Sequence, residues 1–224
     1  MSETDLKITR KQIVYAFCVM LVVVSLIVTN VTASKMYEID LFGLSVWVPV
    51  GTSLFCLSFL ATDVISEIWG RSHAILVAVM GTIARVVTAS FFGIAILIPG
   101  VESWANQEAY ELILGASSRI LIAGIVAYLV TGVIDAYVYH YFRERHRGKN
   151  LMFLRNNIST FSAQSVGAII FSTVAFYGII PNDKLLIIIA GNMMIKWVMA
   201  IIDTPFVYLL RNFALNRPLF DLKG

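Results

Sequence analysis

The chain has 224 residues, 58% of them hydrophobic and only 14% charged, with a formal net charge of +3. That balance leaves too little polar surface to enclose a water-soluble core, so it excludes an ordinary soluble domain and points to the bilayer. The small positive charge gives no reason to propose nucleic-acid binding, and the basic stretch 143–149 is interrupted by Glu144 and carries no recognition motif.

Apolar runs fall at 13–30, 46–68, 74–98, 119–142, 159–180 and 185–210. A helix rising ~1.5 Å per residue needs ~20 residues to cross a ~30 Å hydrocarbon slab, and these runs approach or exceed that length. No segment shows the alternating pattern of a membrane barrel, and open sheet edges do not face lipid. The expected fold is therefore an all-α integral membrane protein, a bundle of six transmembrane helices, with residues 1–224 forming a single domain.

The first run follows Lys7, Arg10 and Lys11 and ends at Asn30. Its basic start and Val31-Thr32-Ala33 resemble a signal-peptide processing site, but its length favours a retained helix. The second carries Pro49 near its start and Asp63 and Glu67 near its end; these two acids are four residues apart and share a helix face, which Arg71 extends by one turn. The third has Arg85 near its middle and a small-residue side at Gly81, Ala84, Thr88 and Ala89 suited to close helix packing.

An acidic connection, 99–118, leads to the fourth run, with Asp135 in its second half. The fifth contributes Gln164 between Ser162 and Ser165. The sixth has Lys196 at mid-span and Asp203 seven residues later on the same face, with Trp197 beside the lysine and Pro205 as a site for a kink.

Basic residues bias the orientation. Twelve flank one side: Lys7, Arg10, Lys11, Arg71, Arg143, Arg145, Arg147, Lys149, Arg155, Arg211, Arg217 and Lys223. The other side carries Lys35, Arg119 and Lys184 among six acids, including Glu102, so both termini are expected in the cytoplasm. Trp47, Trp69 and Trp104 fall near the expected water boundaries.

A charged side chain at mid-bilayer costs roughly 2.5–3.5 kcal/mol on insertion scales, so Asp63, Glu67, Asp135, Asp203, Arg85 and Lys196 are expected to meet one another, water or a polar ligand. Polar groups on all six segments suggest one central cavity. A lysine as deep as Lys196 is expected to pair with Asp203, Asp135 or Asp63. A carboxylate there can accept two adjacent N–H donors, as a guanine-like ring presents them.

No HExxH, GxSxG or phosphate-binding glycine loop is present, and His73, His140 and His146 lack metal-ligand spacing, so neither catalysis, a cofactor nor a metal is expected. Cys18 and Cys56 both fall within apolar runs and read as small packing groups.

The stretch Asn30 to Lys35, and above all Ala61-Thr62-Asp63-Val64-Ile65-Ser66-Glu67-Ile68-Trp69-Gly70, resembles the signature of the queuosine-precursor transporter family, also called the vitamin-uptake-transporter family. The likeness continues through Ile134 to His140, Arg155 to Thr160, Lys196 and Pro205. Two positions depart from it: Gly167 stands where the family commonly has an aspartate, and Cys56 where a proline is common.

The resemblance implies an inner-membrane importer of 7-deazaguanine precursors of queuosine, 7-cyano-7-deazaguanine or its aminomethyl analogue. Asn30, Asp63, Glu67, Arg85, Asp135, Gln164, Lys196 and Asp203 are the candidate substrate-binding residues. The expected partners are that small molecule and the lipid bilayer, with a homo-oligomer or an energising partner as further options. The alternatives are a substrate-binding subunit of a multi-component uptake system and an intramembrane enzyme.

Overall fold

The computed structural model describes residues 8–41, 43–101, 103–115, 118–145 and 152–219; of 41, 44, 118, 119 and 152–157 it describes the backbone only. Lys7, Glu102, His146, Arg147, Lys149 and Lys223 lie outside the described residues, as do the side chains of Arg119 and Arg155.

In chain order the elements are α1 (Arg10–Thr32), β1 (Met36–Leu41), β2 (Leu44–Pro49), α2 (Gly51–Trp69), α3 (Arg71–Leu97), α4 (Gln107–Leu114), α5 (Ser118–Arg145), α6 (Met152–Phe176) and α7 (Asn182–Ala214). All except α4 and the two strands are long and apolar enough to span a membrane, which gives six candidate spans among the described residues.

Local chemistry sets several helix ends. Thr9 and Gln12 form a capping box at the start of α1: the Thr9 hydroxyl accepts from the Gln12 amide at 3.3 Å while the Gln12 side chain accepts from the Thr9 amide at 2.9 Å. Gly70 ends α2 at φ +91°, a left-handed conformation that costs glycine nothing. Arg71 therefore opens α3 and does not continue the Asp63–Glu67 row; its guanidinium lies 3.7 Å from the centre of the Tyr137 ring.

The segment 46–49, expected to begin the second helix, is instead the second strand of a hairpin. Strands β1 and β2 pair antiparallel from Met36 opposite Pro49 to Leu41 opposite Leu44, with Gly43 in the turn at φ +82°. Val46 and Val48 are buried and Ser45 is exposed, the alternation of a half-buried strand, and Pro49 closes β2 and kinks no helix. The hairpin's inner face packs on α7 at Gly191, where a Cβ would come within 2.7 Å of the Trp47 carbonyl oxygen.

Helix α2 is the centre of the bundle, with 67% of its span buried against 22% for α3, whose Leu76, Met80, Ile83, Val87 and Phe91 point outward. It packs on α1, α3 and α7, and α6 joins α5 to α7. Helix α7 is 33 residues long, which at ~1.5 Å per residue is about 50 Å. Its last turns thus remain packed within the protein, and Arg211, expected in a cytoplasmic tail, is buried.

Candidate functional site

Six residues build the centre. At the hairpin end of α2, the Thr52 hydroxyl donates to Asn192 Oδ1 on α7 at 2.7 Å, and Asn192 Nδ2 donates to Ser172 Oγ on α6 at 2.9 Å. All three are buried, so this chain of neutral groups ties three helices together with its donors and acceptors satisfied. Arg85 from α3 and Lys196 from α7 complete the polar lining, and Phe55 supplies an apolar wall. All of these except Ser172 line one internal cavity, whose walls are mainly apolar.

The Arg85 side chain is 2% exposed. It lies across Gly124 of α5, where a Cβ would meet Nη1 at 2.5 Å and Cζ at 2.7 Å, so a larger residue there would push the guanidinium aside. Its Nε donates to Asn30 Oδ1 at 2.5 Å, whereas Arg85 Nη1 and Asn30 Nδ2 are buried without a hydrogen-bond partner. Lys196 is 5% exposed, with Nζ 5.2 Å from the centre of the Phe55 ring.

Neither cation makes an ion pair among the described residues, contrary to the expectation that Lys196 pairs with Asp203, Asp135 or Asp63. The reason is axial distance. Seven residues of helix separate Lys196 from Asp203 by ~10 Å along α7, and the other acids sit at that deeper level.

The acids form a second tier near the end of the bundle that holds the termini. Asp135 on α5 is within hydrogen-bonding reach of Asp63 on α2 and of Ser159 on α6, and the Thr160 hydroxyl donates to its carboxyl at 3.5 Å. Asp135 also lines a separate cavity with Thr62, Ser66 and Tyr128, between α2, α3 and α5. The edge-to-face cluster of Phe55, Phe59 and Tyr128, with ring centres 5.1–6.0 Å apart, stands between the two cavities.

Glu67 belongs to neither cavity. It accepts from the Tyr139 hydroxyl and pairs with Arg211 at 3.6 Å, tying α2 to α5 and α7. Gln164 is buried with both its amide oxygen and nitrogen unpartnered, and Asp203 is buried on α7 outside both cavity linings. Trp197 is 37% exposed on the flank of the bundle, its Nε1 donating to Ser165 Oγ at 3.2 Å, so it faces away from the cavity.

Of the eight candidates, then, Arg85 and Lys196 line the central cavity with Asn30 holding Arg85, and Asp63 and Asp135 meet one tier deeper. Thr52, Asn192, Tyr139 and Arg211 escaped sequence reasoning. The first two are neutral residues beside proline, glycine or methionine, and no spacing on their own helices marks them; Arg211 was masked by its place near the end of the last apolar run.

Six helices able to span a membrane, packed around buried charged and polar side chains, define a multi-pass membrane protein. Residues 49–210 match the family described as "Putative vitamin uptake transporter", and the chain belongs to it. It is also 31% identical over 180 residues to the "Probable queuosine precursor transporter" of Bacillus subtilis (strain 168), an alignment covering 80% of this chain and 77% of that protein. No solved structure matches the chain. The protein is a multi-pass membrane transporter.

Proposed function

We propose that the protein imports 7-deazaguanine precursors of queuosine, 7-cyano-7-deazaguanine or its aminomethyl analogue, across the bacterial inner membrane for use in tRNA modification, and catalyses no covalent step. The observation that carries this reading is the pair of buried cations, Arg85 and Lys196, that line the central cavity beside the Phe55 ring without an ion-pair partner among the described residues. A flat heterocycle with a ring carbonyl fits that chemistry, since its oxygen accepts from the cations while its face meets the aromatic wall. The name of the Bacillus subtilis relative, a probable queuosine precursor transporter, supports the same substrate class.

In this reading the chain is one functional domain with both termini in the cytoplasm, which the excess of basic residues on that side supports. The cavity then lies in the outer half under the hairpin, and the acidic tier of Asp63, Asp135 and Asp203 lies toward the cytoplasm. Substrate bound first at Arg85 and Lys196 passes the Phe55–Phe59–Tyr128 partition to the acids, whose oxygens accept from the N1–H and amine of a guanine edge. Asn30 and Gln164 contribute neutral contacts, and Glu67 holds α2 in register through Arg211.

The test uses a bacterial host unable to make queuosine precursors and deleted for its own importer. Expressing this chain should restore queuosine in tRNA when either precursor is supplied outside at low concentration. Unrestored tRNA, with the protein abundant in the membrane, refutes the assignment.

A further inference from the structure

We propose that the carboxyl pair Asp63–Asp135 is a proton-binding site that couples import to the proton gradient: one proton shared by the two acids closes α2 onto α5 below the central cavity, and its release to the cytoplasm accompanies each substrate. The orientation and the substrate used in the test rest on the reading above; the proton site rests on the contacts that follow.

Helices α2 and α5 meet through a ladder of side chains. Phe59, Asp63 and Glu67 follow one another at four-residue steps and share one face of α2. Each finds a partner on α5: the Phe59 ring centre lies 6.0 Å from that of Tyr128, Asp63 and Asp135 are in hydrogen-bond contact, and Glu67 accepts from the Tyr139 hydroxyl. Helix α2 packs its backbone on α1, α3 and α7, so these rungs carry much of its contact with α5.

Only the middle rung depends on a proton. A carboxylate accepts hydrogen bonds and donates none, so two carboxyl groups bond to each other only when one of them is protonated. Both Asp63 and Asp135 are buried, where two ionised carboxylates in contact repel strongly, and the first proton is therefore held by the pair and not by either acid alone. Ser159 and Thr160 fix the Asp135 carboxyl from the side of α6. The other titratable or charged groups around the pair are Glu67 on α2, Tyr128, Tyr139 and His140 on α5, and Lys196, Asp203 and Arg211 on α7. Helix α3 presents only apolar side chains to the cavity that Asp135 lines, and α6 presents only neutral ones among the described residues.

A second observation marks the route by which the proton arrives. Gln164 is 1% exposed and neither of its amide atoms has a hydrogen-bond partner; buried amides in that condition hold ordered water. It shares a face of α6 with Thr160, one turn deeper, and Gly167, one turn shallower. Thr160 bonds Asp135, and a Cβ on Gly167 would strike the Thr131 methyl on α5 and lie 3.8 Å from Lys196 Nζ. Gln164 is thus level with the turn from Thr131 to Asp135, between the cation of the central cavity and the acid pair. Water held there carries the proton as a hydrated ion from the cavity to Asp135. One O–H bond forms on the carboxyl pair, and the same bond breaks when the pair opens to cytoplasmic water.

The experiment reconstitutes the full-length protein into liposomes held at zero membrane potential and measures labelled 7-cyano-7-deazaguanine inside and outside at steady state. With the outside one pH unit more acidic, one proton per substrate should concentrate the label about tenfold inside, and a protonophore should abolish the excess. Asp135→Asn replaces the bridging proton by a fixed amide N–H, so the uptake it retains should equilibrate without responding to the gradient. Infrared spectroscopy of the wild-type protein at neutral pH should show a protonated-carboxyl band. Either Asp63→Asn or Asp135→Asn should remove that band, because the proton belongs to the pair, and Asp203→Asn should keep it.

Label that only equilibrates across the gradient overturns the proposal and leaves the substrate reading standing, as does a wild-type spectrum without the band. A band that survives both Asn exchanges also overturns it, since the proton then sits elsewhere. No uptake under any gradient refutes the substrate reading instead, and the spectra then decide the proton site by themselves. If the variants do not fold, the gradient response and the spectrum of the wild-type protein decide the matter.

Discussion

Replacing Gly124 by alanine should close the central cavity while leaving the fold nearly intact. The new Cβ falls on the Arg85 guanidinium, 2.5 Å from Nη1 and 2.7 Å from Cζ, and the cavity is the adjacent open space into which the group can move. That shift breaks the bond from Nε to Asn30, worth about 1.5–3 kcal/mol for a charged donor. The Gly→Ala change in a helix interior returns about 1 kcal/mol. The net loss is roughly 0.5–2 kcal/mol, which for a chain of this size lowers Tm by about 1–8 °C.

Precursor uptake should fall far more, because the displaced guanidinium occupies the ligand's space. Gly93→Ala is the control, since nothing lies within 4 Å of a Cβ there and only the helix-propensity gain remains. The assay is uptake of labelled precursor in cells beside a thermal melt of the purified variants. A Gly124→Ala protein with normal uptake and a Tm raised as in Gly93→Ala would show that Arg85 does not lie across Gly124.

Gly191→Ala should lower Tm and membrane abundance, by about 1–3 kcal/mol of overpacking, because its Cβ meets the rigid Trp47 carbonyl; Gly132→Ala, with open space, should not, as melts of the two will show. Glu67→Gln should reduce abundance as well as transport, since it leaves the buried Arg211 unmatched at a cost of about 3–5 kcal/mol, and adding Arg211→Met should restore abundance on a quantitative immunoblot. Asp63→Asn should reduce uptake with abundance little changed; wild-type uptake would remove Asp63 from the transport path. Reporter fusions at the two ends should both read as cytoplasmic, and an external signal from either would reverse the topology.

The spans were legible because a bilayer imposes a length on every apolar run, and 23 residues at Arg10–Thr32 satisfy it without reference to any neighbour. The hairpin was hidden for a related reason. Val46 to Pro49 run directly into the apolar α2, so hydropathy merges strand and helix, and only pairing with 36–41 separates them.

The site was legible in part. Cost in hydrocarbon singled out Arg85, Lys196, Asp63 and Asp135 one by one, but depth along a helix decides which of them meet. Lys196 and Asp203 share a face and still stand two turns apart, and Arg71 lost its place in the acidic row to one glycine with positive φ. Gly124 and Gly167 shape the cavity by what they omit, which no motif records.

The most direct test is uptake by the purified chain alone, reconstituted into liposomes and given labelled 7-cyano-7-deazaguanine. The account predicts saturable uptake that unlabelled precursor abolishes, adenine leaves largely unaffected and Gly124→Ala nearly eliminates. Liposomes that take up no more label than protein-free vesicles, or an uptake that adenine blocks equally well, would contradict it.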